Sequence, residues 1–122
     1  MAKILIVEDD ADLVETYTDL LEMHRHSVTA VDSANEAITM VSRVKPNIIL
    51  LDLNLAGYTG VVVINIVRSY KALRDTKIVV ITGHPELLKG SREASRVDLI
   101  LSKPISNDVL LETVNQFAPE AF

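Results

Sequence analysis

The sequence predicts an α/β domain built on a parallel sheet covered on both faces. Three observations carry that expectation. Short, almost unbroken apolar runs (Ile4-Leu5-Ile6-Val7, Asn47-Ile48-Ile49-Leu50-Leu51, Ile78-Val79-Val80-Ile81, Leu99-Ile100-Leu101) alternate with segments of helical spacing, as strands buried on both faces require. Each run ends in polar side chains: Glu8-Asp9-Asp10, Asp52, Thr82, and Ser102-Lys103-Pro104. A chain of 122 residues that is 48% hydrophobic can build one core and one domain without staples.

The elements follow in order. Lys3 to Val7 is the first strand, and Asp10 or Asp9 can cap the helix after it. Leu13, Val14, Tyr17, Leu20 and Leu21 give that helix its apolar stripe. Ser27 to Val31 is a second, less apolar strand, which suits a sheet edge. Ser33-Ala34-Asn35-Glu36 has the capping-box pattern of a second helix whose Ala37, Val41 and Val44 face the sheet. Pro46 breaks the chain before the third strand. Residues 53–59 read as a loop containing Gly57. From Gly60 to Leu73 the β-branched run Val61-Val62-Val63-Ile64 favours a strand by local propensity. A helix is nevertheless expected there, because parallel neighbours need a crossover. Not all four of these side chains can face the sheet at 100° per residue, so they either crowd the core or expose a surface for a partner or a homodimer.

Residues 79–82 form the fourth strand. Pro85 then suits the start of a helix running to about Ser95. Residues 97–102 form the fifth strand, and Ser106 caps a last helix with Val109, Leu110, Val114 and Phe117 inward. Five strands and five helices, with the polar strand at an edge, give the flavodoxin-like (βα)5 three-layer sandwich with strand order 2-1-3-4-5. Residues 1–118 make the domain, and 119–122 a tail or the start of a linker.

Composition narrows the function. The net charge is −5 and there is no basic run interleaved with aromatics, which disfavours direct nucleic-acid binding. No apolar run approaches the roughly 20 residues that cross a bilayer, and Met1-Ala2-Lys3 leads straight into a strand, so neither membrane attachment nor a leader peptide is expected. The absence of cysteine excludes disulfides and thiolate metal sites and fits a cytoplasmic location. His24 and His26 form an H-x-H at the end of the first helix, where helix-dipole complementation and solvent explain them better than a metal. His84 reads as a loop residue near the crevice.

In open α/β sheets the ligand crevice lies outside the carboxyl ends of the strands, and Glu8, Asp9 and Asp52 should converge there. Three carboxylates in one crevice repel each other unless protonated or shared by a cation. Oxygen donors without cysteine favour a hard divalent ion, Mg²⁺ first, which keeps waters and accepts phosphate oxygens. Lys103 supplies a point charge for phosphoryl oxygens, Thr82 a hydroxyl, and an aspartate carboxylate can itself be the nucleophile. The residues therefore suggest phosphoryl transfer onto Asp52, aided by Mg²⁺ and Lys103.

In these motifs the chain resembles the receiver domain of bacterial two-component response regulators along nearly its whole length. Ile4-Leu5-Ile6-Val7-Glu8-Asp9-Asp10 matches the acidic first motif, with Glu8 and Asp9 as its pair. Leu51-Asp52-Leu53-Asn54-Leu55 matches the phosphoacceptor motif, with Gly60 at the downstream glycine. Thr82, followed by Gly83, matches the switch hydroxyl, and Lys103-Pro104 the lysine–proline pair, typically joined by a cis bond. The resemblance implies that Asp52 takes a phosphoryl group from a sensor histidine kinase or phosphotransfer protein. Asp9, Asp52 and the backbone carbonyl of Asn54 would bind Mg²⁺, with Glu8 acting through water. Lys103 would hold the acyl phosphate and Thr82 would move toward it. It further implies a two-component switch rather than a turnover enzyme, read out around the fourth helix, fifth strand and fifth helix by a downstream protein or an effector domain.

Two positions depart from the pattern. Ala56 stands where the family usually has proline, and Ile100 where it usually has an aromatic ring that couples to the switch hydroxyl. Asn54 and His84 occupy positions that tune phosphoryl lifetime. Other readings of the same residues are an aspartyl-phosphate hydrolase, a flavin module on the same architecture, and a receiver-like interaction module that is not phosphorylated. The hydrolase class usually carries a second aspartate where Asn54 stands.

Overall fold

The computed structural model describes residues 1–55 and 58–119, with only the backbone of Tyr58 and Thr59. Five parallel strands form the sheet: β1 (Lys3–Val7), β2 (Ser27–Val31), β3 (Ile48–Leu51), β6 (Lys77–Thr82) and β7 (Leu99–Ser102). Their order is β2-β1-β3-β6-β7, every pairing parallel. This is the expected flavodoxin-like order with two short strands interpolated. Those are β4 (Asn54–Leu55) and β5 (Tyr58–Thr59), an antiparallel pair within the segment expected to be a plain loop. Ala56 and Gly57 lie outside the described residues.

Alternation along the strands splits the core in two. Leu5, Val7, Ile49, Leu51, Ile78 and Val80 face helices α2 (Ala34–Val44) and α3 (Val61–Ser69). Ile4, Ile6, Ile48, Leu50, Val79 and Ile81 face α1 (Ala11–Met23) and α4 (Asn107–Phe117). Helix starts follow the caps expected from sequence. Asp10 accepts from the Asp12 and Leu13 amides, Ser33 from Glu36, and Ser106 from Val109. These oxygens satisfy amides that have no partner within the helix.

Several expectations need correction. Between Pro85 and Ser95 there is no α-helix, only 3₁₀ turns at Pro85–Leu87 and Arg92–Arg96. Gly90, at φ +80°, interrupts the segment. Among residues 85–96 Leu88 alone is fully buried, so no apolar stripe exists to hold a helix on the sheet. The fourth helix expected to carry the readout surface is thus absent, a crossover of turns stands in its place beside β7, and α4 is the last helix among the described residues. The helix expected from Gly60 to Leu73 stops at Ser69, where Tyr70 is extended, and a 3₁₀ turn covers Lys71–Leu73. The fourth sheet strand starts earlier than expected, at Lys77, and the fifth later, at Leu99.

The valine run splits between core and solvent. Val63 and Ile64 are buried, Val61 is half-buried and Val62 is exposed. Val109, expected inward, is exposed, while Val44 and Phe117 are half-buried. His26 is not at the solvent: it is buried, and its Nδ1 accepts the Ala2 amide at 3.0 Å.

Candidate functional site

The acidic residues meet where β1 and β3 end side by side. Register places Val7 opposite Leu51, so Glu8 and Asp52 leave the sheet at the same level. The Asp52 amide donates to Val7 O at 3.0 Å and the Glu8 amide to Val31 O at 3.1 Å, which extends the ladder one step and fixes both backbones. Glu8 and Asp52 are buried, while Asp9 is exposed. One carboxylate oxygen from each of the three lies within 4.8 Å of the others.

Lys103 closes this cluster from β7. Its Nζ donates to Glu8 Oε1 and, at 3.2 Å, to Asp52 Oδ2. Its amide donates to Thr82 O at 2.8 Å, and Lys103–Pro104 is a cis peptide bond. Burial raises the Glu8 pKa above the ordinary carboxylate value; the Lys103 hydrogen bond opposes this and the Asp52 charge adds to it. Burial alone would lower the Lys103 pKa, but its bond to Glu8 and the charges of Glu8 and Asp52 carry it above the ordinary lysine value. One ammonium therefore offsets two buried carboxylates, as opposite charges in a partly dry crevice require.

Around this centre, Asp52 Oδ1 accepts the Asn54 amide at 3.2 Å, and Glu8 Oε2 accepts the Asp9 and Asp10 amides at 3.0 and 3.3 Å. Thr82 ends β6 with no exposed surface, and its Oγ1 accepts the His84 amide at 3.1 Å. The exposed His84 ring reaches Glu86 at 3.3 Å. Ile100, paired with Val80 in the sheet, packs against the α2–α3 core.

Sequence reasoning missed Tyr17 as a site residue and, at the motif glycine Gly60, the backbone contact that requires it. In the sequence Tyr17 marks only the apolar stripe of the first helix. Its buried side chain lines a void of about 10 Å³ with Glu8 and Asp52. Burial raises its pKa, the Lys103 charge opposing and the Glu8 charge adding. Only its place about two turns beyond the acidic motif could have signalled this. Gly60 donates its amide to Leu53 O at 2.7 Å, and a Cβ there would stand 2.5 Å from the Asp52 carbonyl oxygen. A glycine is required because the backbone carrying Asp52 occupies the space of a side chain.

The donor set suits a hard divalent cation: carboxylate oxygens with different degrees of exposure and no soft ligand among the described residues. Chemically, the arrangement presents buried carboxylates and a lysine ammonium at the sheet end where Thr82 also closes its strand.

Comparison with known proteins agrees with this geometry. Residues 4–115 match the response regulator receiver domain family. Protein PilH of Pseudomonas aeruginosa is 29% identical over 118 residues, covering 94% of this chain and 96% of that protein. The polar-differentiation response regulator DivK of Brucella ovis is 26% identical over 121 residues, covering 97% of each. Among solved structures, chemotaxis response regulator CheY4 of Vibrio cholerae superposes with a TM-score of 0.86 at 25% identity, over 96% of this chain and 98% of that one.

Proposed function

This chain belongs to the response regulator receiver domain family, and from that premise we propose that it is a phosphorylation-dependent switch with Asp52 as its phosphoacceptor. The observation that carries this reading is the meeting of Glu8, Asp9 and Asp52 within 4.8 Å, with Lys103 Nζ bonded to Glu8 and Asp52.

An Asp52 carboxylate oxygen attacks the phosphorus of a phosphohistidine on a histidine kinase or phosphotransfer protein. The new O–P bond forms as the donor's P–N bond breaks, and the imidazole leaves with the electron pair. The Asn54 amide, already on Asp52 Oδ1, orients the carboxylate. Lys103 gives up its bond to Asp52 and follows the phosphoryl oxygens. Thr82 Oγ1, which accepts from His84, turns its proton toward the same oxygens. Mg²⁺ would be held by Asp9, Asp52 and the Asn54 carbonyl, with Glu8 acting through water, and would supply charge neutralisation for the incoming group.

The added group brings close to two negative charges, which biases a two-state equilibrium of the Thr82 and Lys103 strand ends. With Ile100 in place of an aromatic ring, the change is read through the 85–96 crossover beside β7, by a downstream protein or an effector domain. The chain catalyses no reaction beyond its own phosphorylation and dephosphorylation, and it works in the cytoplasm.

Intact mass after incubation with Mg²⁺ and a small acyl phosphate tests this. The wild type should gain one phosphoryl group, while Asp52→Asn, or omission of Mg²⁺, should abolish the gain. No gain in the wild type, or an equal gain in Asp52→Asn, would overturn the assignment.

A further inference from the structure

We propose that the cleft at the amino ends of β6 and β7 is an anion site for a small phosphate-bearing molecule, separate from the acidic site. No basic run marks it in the sequence; the fold assembles it. A cleft of about 500 Å³ is lined by Arg68, Arg74, Lys77 and Arg96, with Asp98 as its only carboxylate among the described residues. The volume lies in the range of small-molecule pockets. Four cations against one acid is the reverse of a chain whose net charge is −5.

Part of this charge is structural and part is not. Arg68, in the last turn of α3, donates to Arg96 O and Thr76 O at 2.8 Å each and to Asp98 Oδ2 at 3.1 Å. Asp98 Oδ2 also accepts the Ile78 amide at 2.8 Å. Arg68 thus neutralises the one carboxylate and ties α3 to the start of β7. Arg96 is steadied by its bond to Asn65 Oδ1 at 3.2 Å. Arg74 and Lys77 are exposed and have no ion-pair partner among the described residues. Three positive charges on one concave wall repel each other, and nothing in the core requires them there.

Ligand class follows from the lining. Among the described residues Val97 is the one apolar side chain in it, so the cleft has almost nothing with which to bury an apolar peptide residue. Arginine forks and a lysine point charge match phosphate oxygens. Lys77 opens β6 and Thr82 closes it, which separates the two sites by roughly 17 Å of strand.

Titration of the full chain with sodium tripolyphosphate, in EDTA and at matched ionic strength, tests the site by amide chemical shifts. Saturable shifts are expected at residues 68–77 and 96–98. Arg74→Ser with Lys77→Ser should weaken binding at least tenfold, and Lys77→Gln alone severalfold. Asp52→Asn should leave it unchanged, which separates failure here from failure of the phosphoacceptor assignment. Adenosine triphosphate binding tenfold more tightly than tripolyphosphate would identify a nucleotide; equal binding would identify the phosphate chain alone. Shifts that do not saturate, that centre on Glu8 and Asp52, or that survive the double substitution would overturn the proposal.

Discussion

At the scale of single residues, Gly60 shows how closely the backbone that carries Asp52 is packed. A methyl at Gly60 would have to displace the Asp52 carbonyl, 2.5 Å from the Cβ position, not a yielding side chain. Gly60→Ala should cost about 1–3 kcal/mol, as overpacking does, and a urea titration would measure it. Phosphorylation of Asp52 should slow in the same variant, because the displaced carbonyl belongs to the residue proposed as the nucleophile. His26 gives a pH prediction. Burial lowers its pKa from 6.5, helped by the positive amino terminus and His24 and opposed by a hydrogen bond with Asn115. The unfolded chain therefore takes up the proton first. The stability linked to His26 is complete above 6.5 and is lost as pH falls through the lower folded value. Urea midpoints measured from pH 7.5 to pH 5 should decline, and His26→Asn, which keeps an acceptor for the Ala2 amide, should decline less.

At the scale of elements, the 85–96 crossover hangs on one side chain. Leu88 is 0% exposed and joins the α2–α3 core, whereas its neighbour Leu87 is 56% exposed. Leu88→Ala should destabilise the fold by about 2–5 kcal/mol, and Leu87→Ala by less than about 0.5 kcal/mol. Equal thermal shifts in the two variants would contradict this packing. The missing helix also shows where sequence reasoning stops. The four strongly apolar strands were legible because burial on both faces leaves continuous runs, and Ser33, Asp10 and Ser106 were legible because capping is local chemistry. The 85–96 segment was not, since Pro85 signals a helix start but Gly90 and the absence of an apolar stripe decide the outcome. For α3 the need for a crossover predicted a helix against the propensity of Val61-Val62-Val63-Ile64, and the structure has one. In the site, the motif residues could be read from their order at the strand ends. Tyr17 and the contact at Gly60 could not, because both depend on distances between separate elements, and so does the gathering of Arg68, Arg74, Lys77 and Arg96.

At the scale of the whole molecule, the fold separates charge along the strands. Glu8, Asp9 and Asp52 stand at the carboxyl ends, and Lys3, Arg74, Lys77 and Arg96 at or near the amino ends. The acidic end should therefore take a divalent cation with a gain in stability of the entire domain, since a ligand of the native state alone stabilises it by mass action. At a hundredfold excess over Kd the gain is about 2.7 kcal/mol, a rise in melting temperature on the order of 10 °C. Differential scanning fluorimetry with MgCl₂ at fixed ionic strength should show this rise, and Asp9→Asn should reduce it sharply. Lys103 sharpens the test, because its ammonium already bonds to Glu8 and Asp52. If it competes with the cation for the same oxygens, Lys103→Gln lowers the stability of the metal-free protein yet binds Mg²⁺ more tightly. If Lys103→Gln instead binds Mg²⁺ more weakly, the lysine organises the carboxylates rather than competing for them, and the exchange from carboxylate to phosphoryl oxygen assigned to it would have to be abandoned.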